Sequence, residues 1–375
     1  VTVPNPFTLG IVKGGDFCDR QKELAEFVRY GENSQNAVLY SPRRYGKSSL
    51  VLQVLRVLGE KGFVPVYVDL FPVSSEHDFI SRFASAIFKG VGRGADPTTM
   101  ADKLKGLFQR LIPTVEITPQ GVTLFVKSDR EARFDVLLDD LMEGLYGYTK
   151  KKGLKVCVVF DEFQEITELD ESKKIEGILR SYIQQHKEVV YLFVGSRRHI
   201  LKDIFTDRKR PFYKSAFLYE LGEISEEDFT AYIETKFRGS GKMCPPEVAK
   251  KIYHTVRGYP YYVQKLALFA WDITEEVCSS DIIDSAYETL LTMESRDFEG
   301  IWSSLTIVQK SVLKAIAAEP TRSPFAKDYL GKYNLSIGGA QKAINSLVAR
   351  DLIERDQKGN FRLTDPVMSA WLVKV

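Results

Sequence analysis

The chain has 375 residues, 44% of them hydrophobic and 27% charged, with 26 Gly and 15 Pro; at about 150 residues per domain this supplies two or three domains and excludes a stapled miniprotein, a disordered chain and a fibre. Fifty-two Lys and Arg against 50 Asp and Glu leave a net charge of +2, so no chain-wide basic field coats nucleic acid and any such contact is local. No apolar run approaches the roughly 18 residues of a membrane helix, the start VTVPNPF lacks a basic-then-apolar leader, and Cys18, Cys157, Cys244 and Cys278 show no metal spacing; the expectation is a cytoplasmic protein with free thiols and no membrane partner.

In chain order, Ala37-Val38-Leu39-Tyr40 is a short apolar run and the loop SPRRYGKSSL follows. Leu50, Val51, Val54, Leu55 and Leu58 then recur at helical spacing up to Gly59 and Gly62. This reads as strand, loop, helix. VPVYVDL at 64–70 is a β-branched run suited to a strand buried on both faces, and a helix is expected from Glu76 to Phe88. Over 91–129 the alternation breaks. GVGRGADPTT reads as a loop, 99–111 as a helix, and TVEITPQGVTLFV as a hairpin around Pro119-Gln120-Gly121, together an insertion. The pattern resumes with a helix at 131–149, a strand at 156–162, a helix at 171–186 and strands at 189–196 and 216–221. Five apolar strands alternating with helices predict an α/β parallel sheet covered on both faces.

Past Leu221 the strands vanish. Ser225 stands three residues before Asp228 as a helix cap, and further helices are expected at 245–257, 260–276 and 279–294. The tail gives helices at 306–318, 325–332 and 336–350, then two short strands around Lys358-Gly359-Asn360, the order of a winged helix. The expected domains are therefore 1–221, 222–300 and 301–375.

Ser41-Pro42-Arg43-Arg44-Tyr45-Gly46-Lys47-Ser48 fits the phosphate-binding loop pattern except at its first position, where Ser41 replaces Gly. Between a strand and a helix, its backbone N–H groups and the positive helix end converge on a β-phosphate. Lys47 then reaches the β- and γ-oxygens and Ser48 ligates Mg²⁺. The candidate nucleotide-binding set runs from Ser41 through Pro42, Arg43, Arg44, Tyr45, Gly46, Lys47 and Ser48 to Ser49. About 115 residues after Lys47, VCVVFDE ends an apolar strand in two adjacent carboxylates. Asp161 suits the Mg²⁺ shell, and Glu162 suits the base that polarises the water attacking the γ-phosphate. A basic turn or a strand meeting solvent explains either motif alone; the two together favour a nucleotide site. The next strand ends in Gly195-Ser196-Arg197-Arg198. Ser196 reads equally as the cap of the following helix and as a hydroxyl that orients the attacking water.

These motifs resemble the archaeal-type ATPases of the STAND branch of the AAA+ superfamily, relatives of the origin-recognition and initiator ATPases. The likeness runs along nearly the whole chain, through Asn5-Pro6-Phe7, Phe17-Cys18-Asp19-Arg20, Glu23-Leu24, the SPRRYGKSSL loop, FDEFQ, GSRR, Pro211-Phe212-Tyr213, Gly258-Tyr259-Pro260 and LIERDQKGNFRLTDP. It implies a P-loop core with a helical lid and a C-terminal winged helix, and ATP or ADP with Mg²⁺ as ligands. It places Asp19 and Arg20 near the adenine, and Tyr259 and Pro260 against base and ribose. From the residues alone, Gly258–Pro260 is a helix stop and restart, which a hinge also requires.

The resemblance also implies an arginine finger given to a neighbouring subunit from the run Asp207–Lys214, with Arg210 ahead of Arg208 and Lys214; read without it, the run is a solvated basic surface. The helix after Pro260 departs from the family in having no arginine for a second sensor, Lys265 being the substitute, which implies slow hydrolysis.

From Leu305 to Val375 there are 11 Lys and Arg and 6 Asp and Glu. The expected recognition helix offers Gln341, Lys342 and Asn345 to bases or phosphates while Ile344, Leu347 and Val348 face the core, and Arg355, Lys358 and Arg362 on the wing are expected to meet phosphates. Winged helices also dock proteins or act as lids, so DNA and an unidentified protein both stand as partners beside ATP and self-association. Three functions remain: an ATP-driven switch acting through lid and winged helix, a DNA-binding ATPase of initiator type, and a nucleotide-binding scaffold without turnover. Intact Lys47, Asp161 and Glu162 argue against the scaffold and the nearly balanced charge against an obligate DNA coat, so the switch is favoured, with Mg-dependent ATP hydrolysis as its reset.

Overall fold

A computed structural model describes residues 3–10, 20–92, 108, 110–118, 121–128 and 132–374. The chain forms two compact units: Arg20–Ser41 with Lys47–Leu221, and the N-terminal residues with Pro42–Gly46 and Gly222–Val375.

The first unit runs α1 (Gln21–Glu32), β1 (Ala37–Tyr40), α2 (Lys47–Glu60), β2 (Phe63–Asp69), α3 (Glu76–Val91), β3 (Leu111–Thr118), β4 (Gly121–Ser128), α4 (Phe134–Lys152), β5 (Lys155–Asp161), a 3-10 turn (Phe163–Glu168), α5 (Ser172–Ile183), β6 (Val189–Gly195), α6 (Arg198–Thr206) and β7 (Phe217–Glu220). The strands β2, β5, β6, β1 and β7 lie in that order, all parallel. All of β1 and β6, and β5 beyond Lys155, are buried, as strands covered on both faces must be. One of the five expected apolar strands differs: β7 has a single sheet neighbour, so its Phe217 and Leu218 are exposed. The hairpin of the insertion is present, with β3 and β4 antiparallel. The helix expected at 99–111 lies outside the described residues, apart from Phe108 and its last two positions, where Leu111 begins β3.

Parallel register pairs Tyr40 with Gly195 and Phe160 with Phe193, so β1, β5 and β6 finish at one edge. Such carboxyl edges are where parallel α/β sheets hold ligands. The adjoining core is aromatic. Phe160, Phe163, Phe193, Phe205 and Phe212 are all buried, with Phe163 and Phe193 centred 4.6 Å apart and Phe163 and Phe212 5.6 Å apart. Each contributes about 1.5–3 kcal/mol through burial. Because Phe160 and Phe163 flank Asp161 and Glu162, the carboxylate turn is anchored on both sides.

The second unit contains α7 (Glu226–Gly239), α8 (Pro246–Thr255), α9 (Pro260–Ile273), α10 (Ser280–Ser303), α11 (Ile307–Ala318), α12 (Lys327–Lys332), α13 (Ile337–Ala349), the antiparallel pair β8 (Ile353–Arg355) and β9 (Phe361–Leu363), and α14 (Pro366–Lys374). The Ser225 hydroxyl accepts from the Asp228 N–H as expected, and Ser279, Thr306 and Ser336 start α10, α11 and α13 in the same way. α10 extends past the expected residue 294, because Phe298 continues the buried stripe of Leu290, Leu291 and Glu294. α14 goes beyond the sequence expectation altogether; its Trp371 packs 5.8 Å from Phe298. One hydrophobic cluster joins these helices to Phe7, which packs edge-on against Phe237 at 5.7 Å. Asn5 donates to the Leu268 carbonyl, so the Asn5-Pro6-Phe7 motif is a structural plug. Among the described residues no helix is long and apolar enough to cross a membrane. Cys157, Cys244 and Cys278 are buried and free.

Candidate functional site

The loop leaving β1 takes left-handed backbone at Arg44 (φ 63°) and Gly46 (φ 84°) on either side of Tyr45. Alternation of this kind turns successive N–H groups to one side, the geometry of an anion nest, and glycine at position 46 adopts it without a Cβ penalty. α2 then begins at Lys47, which is buried and donates from Nζ to the Ser41 carbonyl at 3.1 Å. Ser41 and Ser49 are buried as well.

Asp161 ends β5 with 3% of its surface exposed. Its Oδ2 accepts from the Ser48 hydroxyl at 2.7 Å and from the Tyr67 hydroxyl at 2.6 Å, and its Oδ1 accepts the Glu162 N–H at 3.0 Å. Burial pushes the Asp161 carboxyl above the usual carboxylate range; the Tyr67 and Ser48 hydrogen bonds oppose this, the Glu162 charge adds to it, and Lys47 lowers it. Burial, then the Asp161 charge, raises the Tyr67 phenol well above its ordinary value, so it stays a donor. Glu162 itself sits in left-handed backbone (φ 53°, ψ 45°), a conformation that costs a non-glycine residue about 1–3 kcal/mol and concentrates at functional sites. Its Oε2 accepts from the Ser196 hydroxyl at 2.8 Å, the Ser196 N–H at 3.2 Å and the Gln164 amide at 2.5 Å. Ser196 is buried and directed at Glu162, while Arg197 occupies the cap position of α6 without a side-chain cap bond.

Thus Lys47, Ser48, Asp161, Glu162 and Ser196 share the carboxyl edge, and Tyr67 and Gln164 join them from outside the sequence-derived set. Arg20 is buried in left-handed backbone at the start of α1 and pairs with Glu23 at 3.0 Å; Asp19 lies outside the described residues. Arg210 stands elsewhere. Its guanidinium grips the fully buried Glu176 of α5, with Nε 3.2 Å from Oε2 and Nη2 on Oε1, while Arg208 and Lys214 are exposed. Arg210→Ala leaves that carboxylate buried and unpaired and is expected to cost roughly 3–5 kcal/mol, read as a lower urea midpoint. An unchanged midpoint would show that the pair carries no structural role.

Within the second unit, the loop residues pack on the C-terminal helices. The Tyr259 hydroxyl donates to the Arg43 carbonyl at 2.6 Å, and Tyr45 meets the Tyr259 ring edge-on at 4.9 Å. Arg44 lies 4.3 Å from the Tyr261 ring centre and 3.7 Å from the buried Glu294, which Lys265 also engages. Pro260 opens α9 with Tyr259 as its cap residue, so the motif after Gly258 is a helix start. Tyr262 continues the chain of contacts to Asp365 at 2.6 Å, just before α14. On the winged helix, Ala343, Ile344 and Leu347 of α13 are buried, Val348 is half-buried, and Gln341, Lys342 and Asn345 are exposed. Arg355 and Lys358 are exposed on the wing. Arg362 differs from its expected role, because it turns inward to Glu354 at 2.9 Å and Glu223 at 3.5 Å.

A family model described as an ATPase domain predominantly from Archaea matches residues 17–266, and one for a probable winged helix domain matches residues 296–374. No curated protein matches the chain. Among solved structures, a Walker-type ATPase of Pyrococcus abyssi matches with a TM-score of 0.70 at 17% identity over 96% of both chains. The ORC2 protein of Aeropyrum pernix, in ADPNP–ADP complexes, matches at 0.56 and 14% identity over 97% of this chain and 96% of that one. The ORC1 protein of the same organism, in complex with DNA, matches at 0.51 and 15% identity over 97% and 94%. The fold is that of a P-loop ATPase carrying a C-terminal winged helix. With the ATPase match spanning most of its length, the chain belongs to the family of ATPase domains found predominantly in Archaea.

Proposed function

We propose that the protein binds MgATP at the carboxyl edge of its sheet and cleaves the γ-phosphate with a water activated by Glu162, the cycle resetting a conformational switch. The observation that carries this reading is the convergence of Lys47, Ser48, Asp161, Glu162 and Ser196 on one edge, with Glu162 oriented by Ser196. The N–H groups of Arg43–Gly46 and the start of α2 hold the phosphates, and Lys47 neutralises the β- and γ-oxygens.

The donor set fits Mg²⁺: Ser48 and Asp161 supply adjacent hard oxygens, and the raised pKa of buried Asp161 is the burden that a neighbouring dication relieves. When bound, the ion neutralises charge on the phosphoryl oxygens. Glu162 accepts the proton of the attacking water, and Ser196 holds Glu162 in place while it does so.

The switch reading draws on the loop itself. The segment that touches phosphates also packs on Tyr259, Tyr261 and Glu294, and Tyr262 carries the contacts on to Asp365. A change at the phosphates therefore has a physical route to the tail. Slow turnover follows from Arg210 and Lys265 being held by Glu176 and Glu294. Dilute protein is expected to hydrolyse ATP below the roughly 1 s⁻¹ at the low end of ordinary enzymes. A phosphate-release assay across protein concentrations checks this: tens of turnovers per second at high dilution would contradict it, and a rate per subunit that climbs with concentration would show that a neighbouring copy contributes to the site, with Arg208, Arg210 and Lys214 the residues to vary.

A second reading, DNA binding through the winged helix, is favoured by the outward Gln341, Lys342 and Asn345 of α13. It requires affinity for duplex DNA that falls steeply with salt.

A further inference from the structure

Resting on the ATPase reading, we propose that Gln164 is a positioning residue for hydrolysis: it helps pin one oxygen of the Glu162 carboxylate and leaves the other to take the proton of the attacking water. Gln164 is fully buried in the 3-10 turn after β5. Its Nε2 donates to Glu162 Oε2 at 2.5 Å and to Glu165 Oε1 at 3.2 Å. The Ser196 N–H and hydroxyl donate to the same Glu162 oxygen. Three donors from two elements thus converge on Oε2, and among the described residues no donor reaches Oε1. A carboxylate held by one oxygen keeps the lone pairs of the other for a proton.

The seat of Gln164 is built around it. A Cβ on Gly195, the last residue of β6, would stand 2.0 Å from Gln164 Oε1, so this side chain needs glycine there. That Oε1 is itself buried without a hydrogen-bond partner. A fold keeps such an orphan against a cost of about 1–3 kcal/mol when the group serves something other than stability. The reverse amide orientation would set Oε1 against two carboxylate oxygens, so the network fixes which end faces Glu162. An amide also has the right chemistry for holding a base, since it donates without charge, whereas a carboxylate would repel Glu162 and an ammonium would neutralise it. Phe163 beside it is locked into the aromatic core, which fixes the turn.

The test is Gln164→Leu, nearly isosteric, made in the wild-type chain and in Glu162→Gln, with ATP hydrolysis, affinity for a fluorescent ATP analogue and thermal melting all measured. The expected result is a kcat lower by about 10- to 100-fold with KM and analogue affinity held within about twofold. The Tm should be unchanged or higher, since leucine removes the orphan carbonyl. In the Glu162→Gln background the same change should have no further effect on the residual rate, because Gln164 acts through Glu162. A wild-type kcat in Gln164→Leu, or an equal loss in both backgrounds, overturns the proposal. Gly195→Ala is the second variant should Gln164→Leu fail to fold; it should displace the intact glutamine and lower kcat likewise, and a wild-type kcat there also overturns it. Failure of the ATPase reading looks different: no hydrolysis by the wild-type chain, or wild-type turnover by Glu162→Gln.

Discussion

Glu162→Gln is expected to bind MgATP with wild-type affinity and to lose turnover by about 10²- to 10⁴-fold, the contribution of a positioned general base. The amide keeps the size of the carboxylate, and its oxygen still accepts from the Ser196 hydroxyl and the Gln164 amide where Glu162 now does. The phosphate contacts proposed for Lys47 and the loop are untouched. What disappears is the basicity of the second oxygen, so the loss falls on kcat and not on binding. Steady-state phosphate release and equilibrium binding, measured on the same preparation, separate the two. Turnover at the wild-type rate would remove Glu162 from the mechanism.

Lys47→Ala is expected to abolish measurable MgATP binding, a weakening of at least about 100-fold or roughly 2.7 kcal/mol. The ammonium is buried at the start of α2 and steadied by the Ser41 carbonyl at 3.1 Å, so it is placed before any phosphate arrives. Removing it deletes the positive charge nearest the β- and γ-oxygens in the proposed pose, and no neighbour on α2 replaces it, since Ser48 and Ser49 follow. Titration calorimetry checks the loss, and circular dichroism checks that α2 still forms. Retained tight binding would move the phosphates away from the loop.

The parts of the site that were legible in the sequence are those where local pattern and chemistry coincide. Lys47 and Ser48 follow an apolar strand and open an amphipathic helix, and Asp161 and Glu162 close a strand whose every preceding residue but Lys155 is buried. The parts that were not legible depend on pairing at a distance. Tyr67 reaches Asp161 because β2 and β5 run in parallel register, Asp69 opposite Asp161, which nothing in VPVYVDL announces. Glu176 reads as one charge among several in ESKKIEGILR, although its spacing from Leu179 and Ile183 puts it on the buried stripe of α5. Without that partner, Arg210 looks available. Arg362 misleads for the same reason: its partners Glu354 and Glu223 come from the facing wing strand and from far upstream. α1 carries too narrow a stripe to stand out, with only Phe27, Val28 and Gly31 buried.

Gln164 belongs to a third kind. It is visible in FDEFQ, yet its neighbours Glu162 and Glu165 are chain-local while its clearance depends on Gly195 of another strand. Only the packed sheet shows why a buried glutamine sits there.

Every role assigned to these residues depends on Mg-dependent ATP hydrolysis at this edge of the sheet. Release of inorganic phosphate from ATP in a single turnover, with excess protein in Mg²⁺ and then in EDTA, decides whether it occurs. The expected result is slow release that requires Mg²⁺ and vanishes in Lys47→Ala. ATP that binds tightly in Mg²⁺ but stays intact over many hours would overturn the assignment, leaving a nucleotide-holding scaffold in place of an enzyme.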